Sequence, residues 1–183
     1  VESVPTLDTP RLRLRGHRAS DLDAAVELWG EPRVYRYITG SPLSEQDVWL
    51  RLLRYSGLWD FLGYGYWAVE SRSDGRYLGQ LGFADFRRGL VGFDGRFPEA
   101  GWVLDASVAG RGLATEGMQA ACRWLDEQGL HPRTFCVIDP ANGASLRVAE
   151  KLGYRYLMAS RLGDERVGVY LRDLVQHGHQ EQR

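Results

Sequence analysis

Phe97-Pro-Glu-Ala-Gly-Trp-Val-Leu-Asp-Ala-Ser-Val-Ala-Gly-Arg-Gly-Leu-Ala-Thr-Glu-Gly117 decides how the rest of the chain is read. Glu99 to Leu104 reads as a strand, Asp105 to Ala109 as a short loop, and Gly110-Arg111-Gly112 as a turn that opens a helix near Leu113. The first N–H groups of a helix lack internal partners, and the helix dipole places positive potential there. Glycines have no Cβ, so an anion can approach their main chain closely. The stretch therefore predicts a site for the pyrophosphate of a cofactor. A Gly-x-Gly link between strand and helix also serves as a plain tight connection. A dinucleotide fold is a third reading. Its third glycine falls at Thr115, and its ribose-binding acid, about 20 residues on, falls near Pro132 and Arg133. A P-loop is excluded, because no Gly-Lys-Ser/Thr follows.

Length and composition set the frame outside this stretch. A chain of 183 residues is expected to form a single domain over 1–183 with a substantial core. Hydrophobic residues at 44% and charged residues at 26% place it among globular proteins. A net charge of −1 offers no basic footprint for nucleic acid and no polybasic patch for a membrane. No stretch is apolar enough for a transmembrane helix. Glu2, Asp8 and Pro10 interrupt any apolar leader. Cys122 and Cys136 fall in helix and strand patterns and read as buried thiols, which suits the cytoplasm. No residues show metal-ligand spacing. His177 and His179 belong to a polar tail over 176–183.

Arg11 to Arg15 alternates, with Leu12 and Leu14 facing inward. Ser20 with Asp23, and Ser44 with Asp47, read as capping boxes for two helices, the first ending at Glu31-Pro32. Tyr64 to Glu70 and Tyr77 to Phe86 are strands around Asp74-Gly75, the second with Gly79 and Gly82 inside it. After the helix that begins near Leu113 come a strand over Thr134 to Ile138, a helix over Asn142 to Leu152, and two last strands around Gly163. The order β-α-α-β-β-β-α-β-α-β-β predicts an α/β chain with a mixed, mostly antiparallel sheet and helices on both faces.

This order, with two motifs, resembles the GNAT superfamily of acyl-CoA-dependent N-acetyltransferases. Ala100 to Glu116 looks like the family's central strand and its pyrophosphate loop, Gln/Arg-x-x-Gly-x-Gly/Ala. Gly112 and Ala114 fit the last two positions, while Ala109 replaces the usual Gln or Arg. Asn142 to Tyr154 looks like the Asn-x-x-Ser and Lys-Leu-Gly-Phe motifs of the branch that acetylates ribosomal-protein N-termini. Leu7 to Arg15 fits that branch as well. The resemblance implies acetyl-CoA as cosubstrate and no metal. It places the cofactor against Trp102, Val103 and Leu104, then the turn residues Ala109, Gly110, Arg111, Gly112, Leu113, Ala114 and Thr115, with Asn142 and Ser145 beside the pantetheine arm and sulfur. The implied activity moves an acetyl group to a primary amine, of a protein N-terminus or a small molecule, by direct attack in a ternary complex. The implied state is a monomer or homodimer. A CoA-binding module without turnover shares the same pattern.

That chemistry needs a neutral amine. At pH 7 an amine of pKa about 10.4 is neutral roughly once in 2,500 molecules, and an α-amine of pKa about 8 roughly once in ten. A base is therefore useful. Glu99 is the candidate, sharing a strand face with Gly101 and Val103. Its plainer reading is an exposed strand-end residue. Asp105 is a second carboxylate whose simpler role is to cap the loop. Ser145 is the candidate acid for the departing thiolate, and Asn142 also reads as a helix cap. Glu116 reads as stabilising its helix end, and Arg147 and Lys151 as exposed helix charges, with contact to the phosphates as the alternative. Tyr35 and Tyr37, placed in a loop between the first helices, are expected to line the acceptor tunnel.

Overall fold

The computed structural model describes residues 4–174, so the polar tail with His177 and His179 lies outside the described residues. The chain begins with β1 (Leu7–Asp8) and β2 (Leu12–Arg15), then α1 (Leu22–Gly30), α2 (Pro32–Tyr35) and α3 (Glu45–Leu62). It continues with β3 (Tyr66–Ser71), β4 (Tyr77–Ala84), β5 (Glu99–Leu104) and α4 (Leu113–Gln128). The last elements are β6 (Arg133–Ile138), α5 (Gly143–Lys151), β7 (Arg155–Leu162) and β8 (Glu165–Asp173). The expected order holds, with β1 and α2 added to it. Pro32 does not simply end a helix. It occupies the first position of α2, where its missing N–H has no helical partner to lose.

The start of α1 also departs from expectation. No box forms between Ser20 and Asp23; Asp21 is the N-cap residue. The reason lies in β2, where Leu12 and Leu14 are fully buried and Arg15 is buried beside them. A buried guanidinium needs counter-charges. Asp21 receives two of its N–H groups at 2.9 and 2.8 Å, and Glu70 receives a third at 2.7 Å. Burial pushes the Asp21 carboxyl up, but hydrogen bonds from Arg15 and the Arg18 N–H outweigh it, so its pKa is lowered. Asp21→Asn is expected to destabilise the protein by about 3 kcal/mol at pH 7. A lowered pKa gives stability present above the ordinary carboxylate range and lost as pH falls through the folded value. The gap between native and variant in urea melts should therefore narrow in acid. Equal stability at pH 7 would count against this account of the pair. At the second helix Ser44 is the expected cap, its Oγ accepting from the Asp47 N–H at 3.1 Å, but the reciprocal half of the box is replaced by the Ser44 hydroxyl donating to Asp47 Oδ2 at 2.6 Å.

The strands form one eight-stranded sheet in the order β1-β2-β3-β4-β5-β6-β8-β7. Every pairing is antiparallel except β5 with β6. A doubly wound parallel sheet, which a dinucleotide fold requires, is not what this chain builds. One face packs on α1 and α3 through Leu28, Trp29, Val48, Leu52 and Tyr55. The other packs on α4 and α5 through Leu81, Phe83, Met118, Ala121 and Ala149. Gly79 and Gly82 are demanded by close approach: a Cβ would lie 2.1 Å from the Val103 oxygen and 2.2 Å from the Gly65 oxygen.

The parallel pair positions the site. β5 and β6 share one register pair, Glu99 with Phe135, supported by the Phe135 N–H donating to the Pro98 oxygen at 3.1 Å. Past that pair the strands splay. On its other edge β5 stays paired with β4 along its whole length. The backbone groups of residues 100–103 that point towards β6 therefore have no ladder partner.

Candidate active site

The turn after β5 is built by local chemistry. Asp105 Oδ1 accepts from the Ser107 N–H at 2.7 Å and sets a single 3-10 turn over Ala106–Val108. Its capping role is thus the one formed. Gly110 and Gly112 both sit at φ 76°, and Gly112 is the N-cap of α4. A Cβ on Gly110 would meet nothing within 4 Å, and one on Gly112 would come no closer than 3.7 Å, to Arg11 Nη2. The left-handed backbone requires glycine here, and the space before the helix N-terminus stays open. A diphosphate fits such a cradle of N–H groups.

Glu116, in the first turn of α4, is turned away from that space. It accepts from Thr9 Oγ1 at 2.6 Å, the Arg11 N–H at 2.9 Å and Arg11 Nε at 2.6 Å. Burial raises its pKa, but these donors more than offset the effect and leave it lowered. It ties the β1–β2 turn to α4, as a helix-end role requires.

A cavity of about 440 Å³ extends from the turn. Trp102, Val103, Leu104, Ala109, Gly110, Gly112, Leu113, Ala114, Thr115, Asn142 and Ser145 line it. Arg111 does not. Its carbonyl is turned towards the N-terminal hairpin, where it accepts from Arg11 Nη1 at 2.9 Å. Arg147 and Lys151 are exposed helix charges, as read, and both border this cavity. Arg33 and Arg36 border it too, brought there by α2. The sequence reading missed them because it broke the helix at Pro32. Four cations around one groove suit a polyanionic ligand.

A second cavity, of about 370 Å³, shares Ile38, Trp102, Val103, Asn142 and Ser145 with the first. The two cavities therefore lie next to each other at the splay, and Ala100 to Val103 and Cys136 to Asp139 both border the second. Asn142 caps α5, its Oδ1 accepting from the Ser145 N–H at 3.1 Å. The cap and the groove position are both realised. Cys122 and Cys136 are buried thiols, and burial pushes Cys122 up to about 11 and Cys136 well above its usual value. Neither is a thiolate near neutral pH.

Glu99 lies within this second cavity. It is 5% exposed, so the reading as a solvated strand-end residue fails. Val103, on its strand face, packs with the α1 and α3 core, whereas Trp102 and Leu104 pack with the α4 core. Glu99 and Gly101 therefore face the α1 and α3 side. Gly101 has no Cβ because the Tyr66 hydroxyl occupies that position, 2.0 Å from where a Cβ would stand. Arg88, from the loop after β4, pairs with both carboxylate oxygens of Glu99. Burial pushes the Glu99 carboxyl up, Arg88 pulls it down, and Asp85 adds to the rise, leaving it above its ordinary value.

Aromatic and basic side chains complete the wall: Trp29, Tyr37, Tyr55, Tyr66 and Phe86, with Arg51, Arg54 and Arg88. Tyr37 is among the residues that line this cavity. Tyr35 does not line the cavity, because it is the last residue of α2 and not part of a loop. Phe61, one of the early aromatics, is 89% exposed and takes no part. The three arginines and Phe86 were missed, since α3 and the β4–β5 loop bring them together only in the fold.

The sequence profile of the acetyltransferase (GNAT) domain family matches residues 11–155. The chain is similar to the uncharacterized protein YkkB of Bacillus subtilis, 30% identical, with 91% of this chain and 94% of that protein covered. Its fold is similar to that of a putative GnaT-family acetyltransferase from Bordetella pertussis, with TM-score 0.79 and 29% identity, covering 92% and 99% of the two chains. It is also similar to RimL, a ribosomal L7/L12 α-N-protein acetyltransferase in complex with coenzyme A. That TM-score is 0.76 at 18% identity, with 93% and 98% of the chains covered, and shows likeness of fold.

Proposed function

Because this chain belongs to the GNAT acetyltransferase family, we propose that it transfers the acetyl group of acetyl-CoA to a primary amine by direct attack in a ternary complex. The observation that carries this reading is the splay of β5 from β6. It leaves main-chain N–H and C=O groups without ladder partners where two neighbouring cavities meet, one at a phosphate cradle and one at a buried carboxylate. Buried backbone groups need partners, and the amides of a pantetheine arm supply them. In this reading the diphosphate meets the N–H groups at Gly110 to Ala114, with Arg33, Arg36, Arg147 and Lys151 around it. Bound acetyl-CoA brings a thioester, whose carbonyl carbon gains the C–N bond as its C–S bond breaks and CoA thiol leaves.

The chain's own groups assist at three points. An unpaired N–H of β5 polarises the thioester carbonyl. Glu99 takes the proton that the amine sheds on attack, directly or through one water. Burial raises its pKa, which makes it a better proton acceptor than an ordinary carboxylate, while Arg88 opposes part of that rise. Ser145 gives a proton to the departing sulfur and regains one from solvent. The amine enters past Tyr37 and Tyr66, and it belongs to a protein N-terminus or a small molecule. The cytoplasm is the compartment this reading implies.

Two measurements check this. Acetyl-CoA is expected to raise the melting temperature by linkage, whereas NADH at the same concentration should not; the reverse pattern would overturn the reading. Ser145→Ala is expected to lower kcat with little change in the KM for acetyl-CoA, if its hydroxyl protonates the thiolate. A raised KM at constant kcat would reduce the hydroxyl to a contact with the arm.

A further inference from the structure

The α3 wall of the acceptor cavity carries two arginines, Arg51 and Arg54, one helical turn apart. The Arg51 guanidinium lies 4.3 Å from the Trp29 ring centroid. That of Arg54 lies 4.9 Å from Phe86 and 5.5 Å from Tyr55. Stacking holds a guanidinium by its face and leaves the N–H edges available to an acceptor in its plane. Arg88, in the same cavity, has Glu99 as its carboxylate. Among the described residues Arg51 and Arg54 have none, and their one side-chain hydrogen bond runs from Arg51 Nη1 to the Tyr55 hydroxyl at 3.4 Å. Like charges one turn apart repel. The other acids of this cavity, Asp139 and Glu165, come from the β6 and β8 side of the cleft.

Resting on the acetyl-transfer reading, we infer that the acceptor amine carries an anionic group, a carboxylate or a phosphate, bound by Arg51 and Arg54 while its nitrogen meets Glu99. The aromatic surfaces of Trp29, Tyr55 and Phe86 pre-position the two guanidinium groups, so little side-chain freedom is lost on binding. Planar N–H edges match both carboxylate and phosphate oxygens. An amine without the anion leaves the two positive charges uncompensated.

Thiol release from acetyl-CoA over matched amines tests this. Phenylalanine is set against phenethylamine, O-phosphoethanolamine against ethanolamine, and a Ser-Asp against a Ser-Asn peptide amide. In at least one pair the acidic member is expected to win by about tenfold or more in kcat/KM, and the winning pair identifies carboxylate, phosphate or peptide as the source. Equal or better turnover of the neutral member in every pair overturns the inference. Arg51→Gln with Arg54→Gln should bring the winning ratio towards one, and an unchanged ratio overturns it as well. Arg54→Gln alone, at an exposed position, should lower the ratio in the same direction should the double variant not fold. If no amine releases thiol, the transfer reading fails by itself, and calorimetry with the acidic members still decides. Binding to the native protein and not to the variant upholds the anion site, and no binding to the native protein overturns it.

Discussion

Glu99→Gln is expected to lower kcat/KM about 10²-fold over the pH range in which the native carboxylate is ionised and the amine is not yet neutral. The limits of that range follow from two titrations. Burial lifts the Glu99 carboxyl above its ordinary value despite Arg88, so the native enzyme should lose activity on the acid side as Glu99 protonates. Glutamine does not titrate, so the variant should lack that acid limb, and the two profiles should converge at low pH. On the alkaline side the amine deprotonates unaided, near pH 8 for an α-amine and about 10.4 for a lysine-like one. The deficit should shrink there. A pH profile of kcat/KM for both proteins reads both limbs. Equal activity throughout would assign the base to water or another group.

Gly112→Asp should abolish the rise in melting temperature that acetyl-CoA gives the native protein. At a ligand concentration 100 times Kd that rise corresponds to about 2.7 kcal/mol. The substitution places a carboxylate in the open space before α4, where the diphosphate is proposed to lie, and imposes a side chain on a backbone at φ 76°. Gly112→Ala separates these effects, since it keeps the strain and omits the charge. The alanine protein should melt lower but still respond to acetyl-CoA. A response to acetyl-CoA in the Asp variant that equals the native one would move the diphosphate elsewhere.

Much of the architecture was legible because it depends on local rules. The strand Glu99–Leu104, the helix start at Leu113 and its stop at Gly129 were all marked by period and glycine. The groove beside the Gly110–Gly112 turn was legible for the same reason, as one continuous stretch supplies most of its lining. The direction of the Arg111 carbonyl, turned towards Arg11, was not legible, because sequence adjacency does not say which way a peptide turns. The lining of the cavity around Glu99 was mostly hidden. Arg51 and Arg54 are far from Glu99 in the chain and reach its cavity only through the packing of α3, while Phe86 and Arg88 are brought back to it by the fold of the loop between β4 and β5. Burial of Glu99 was equally hidden, because it depends on Arg88 and on the neighbouring strands. The misread start of α1 has a similar origin: the partner that Arg15 needs is chosen by burial, not by proximity to Ser20.

The central claim is catalysis of acetyl transfer at the β5–β6 cleft. Its most direct test is release of free CoA thiol from acetyl-CoA by the native protein with primary amines, matched against N-acetyl product by mass. The account predicts thiol and N-acetylated amine in equal amounts from at least one amine, with no comparable release when the amine is omitted. A melting rise with acetyl-CoA but no thiol release with any amine would contradict it and leave a CoA-binding module.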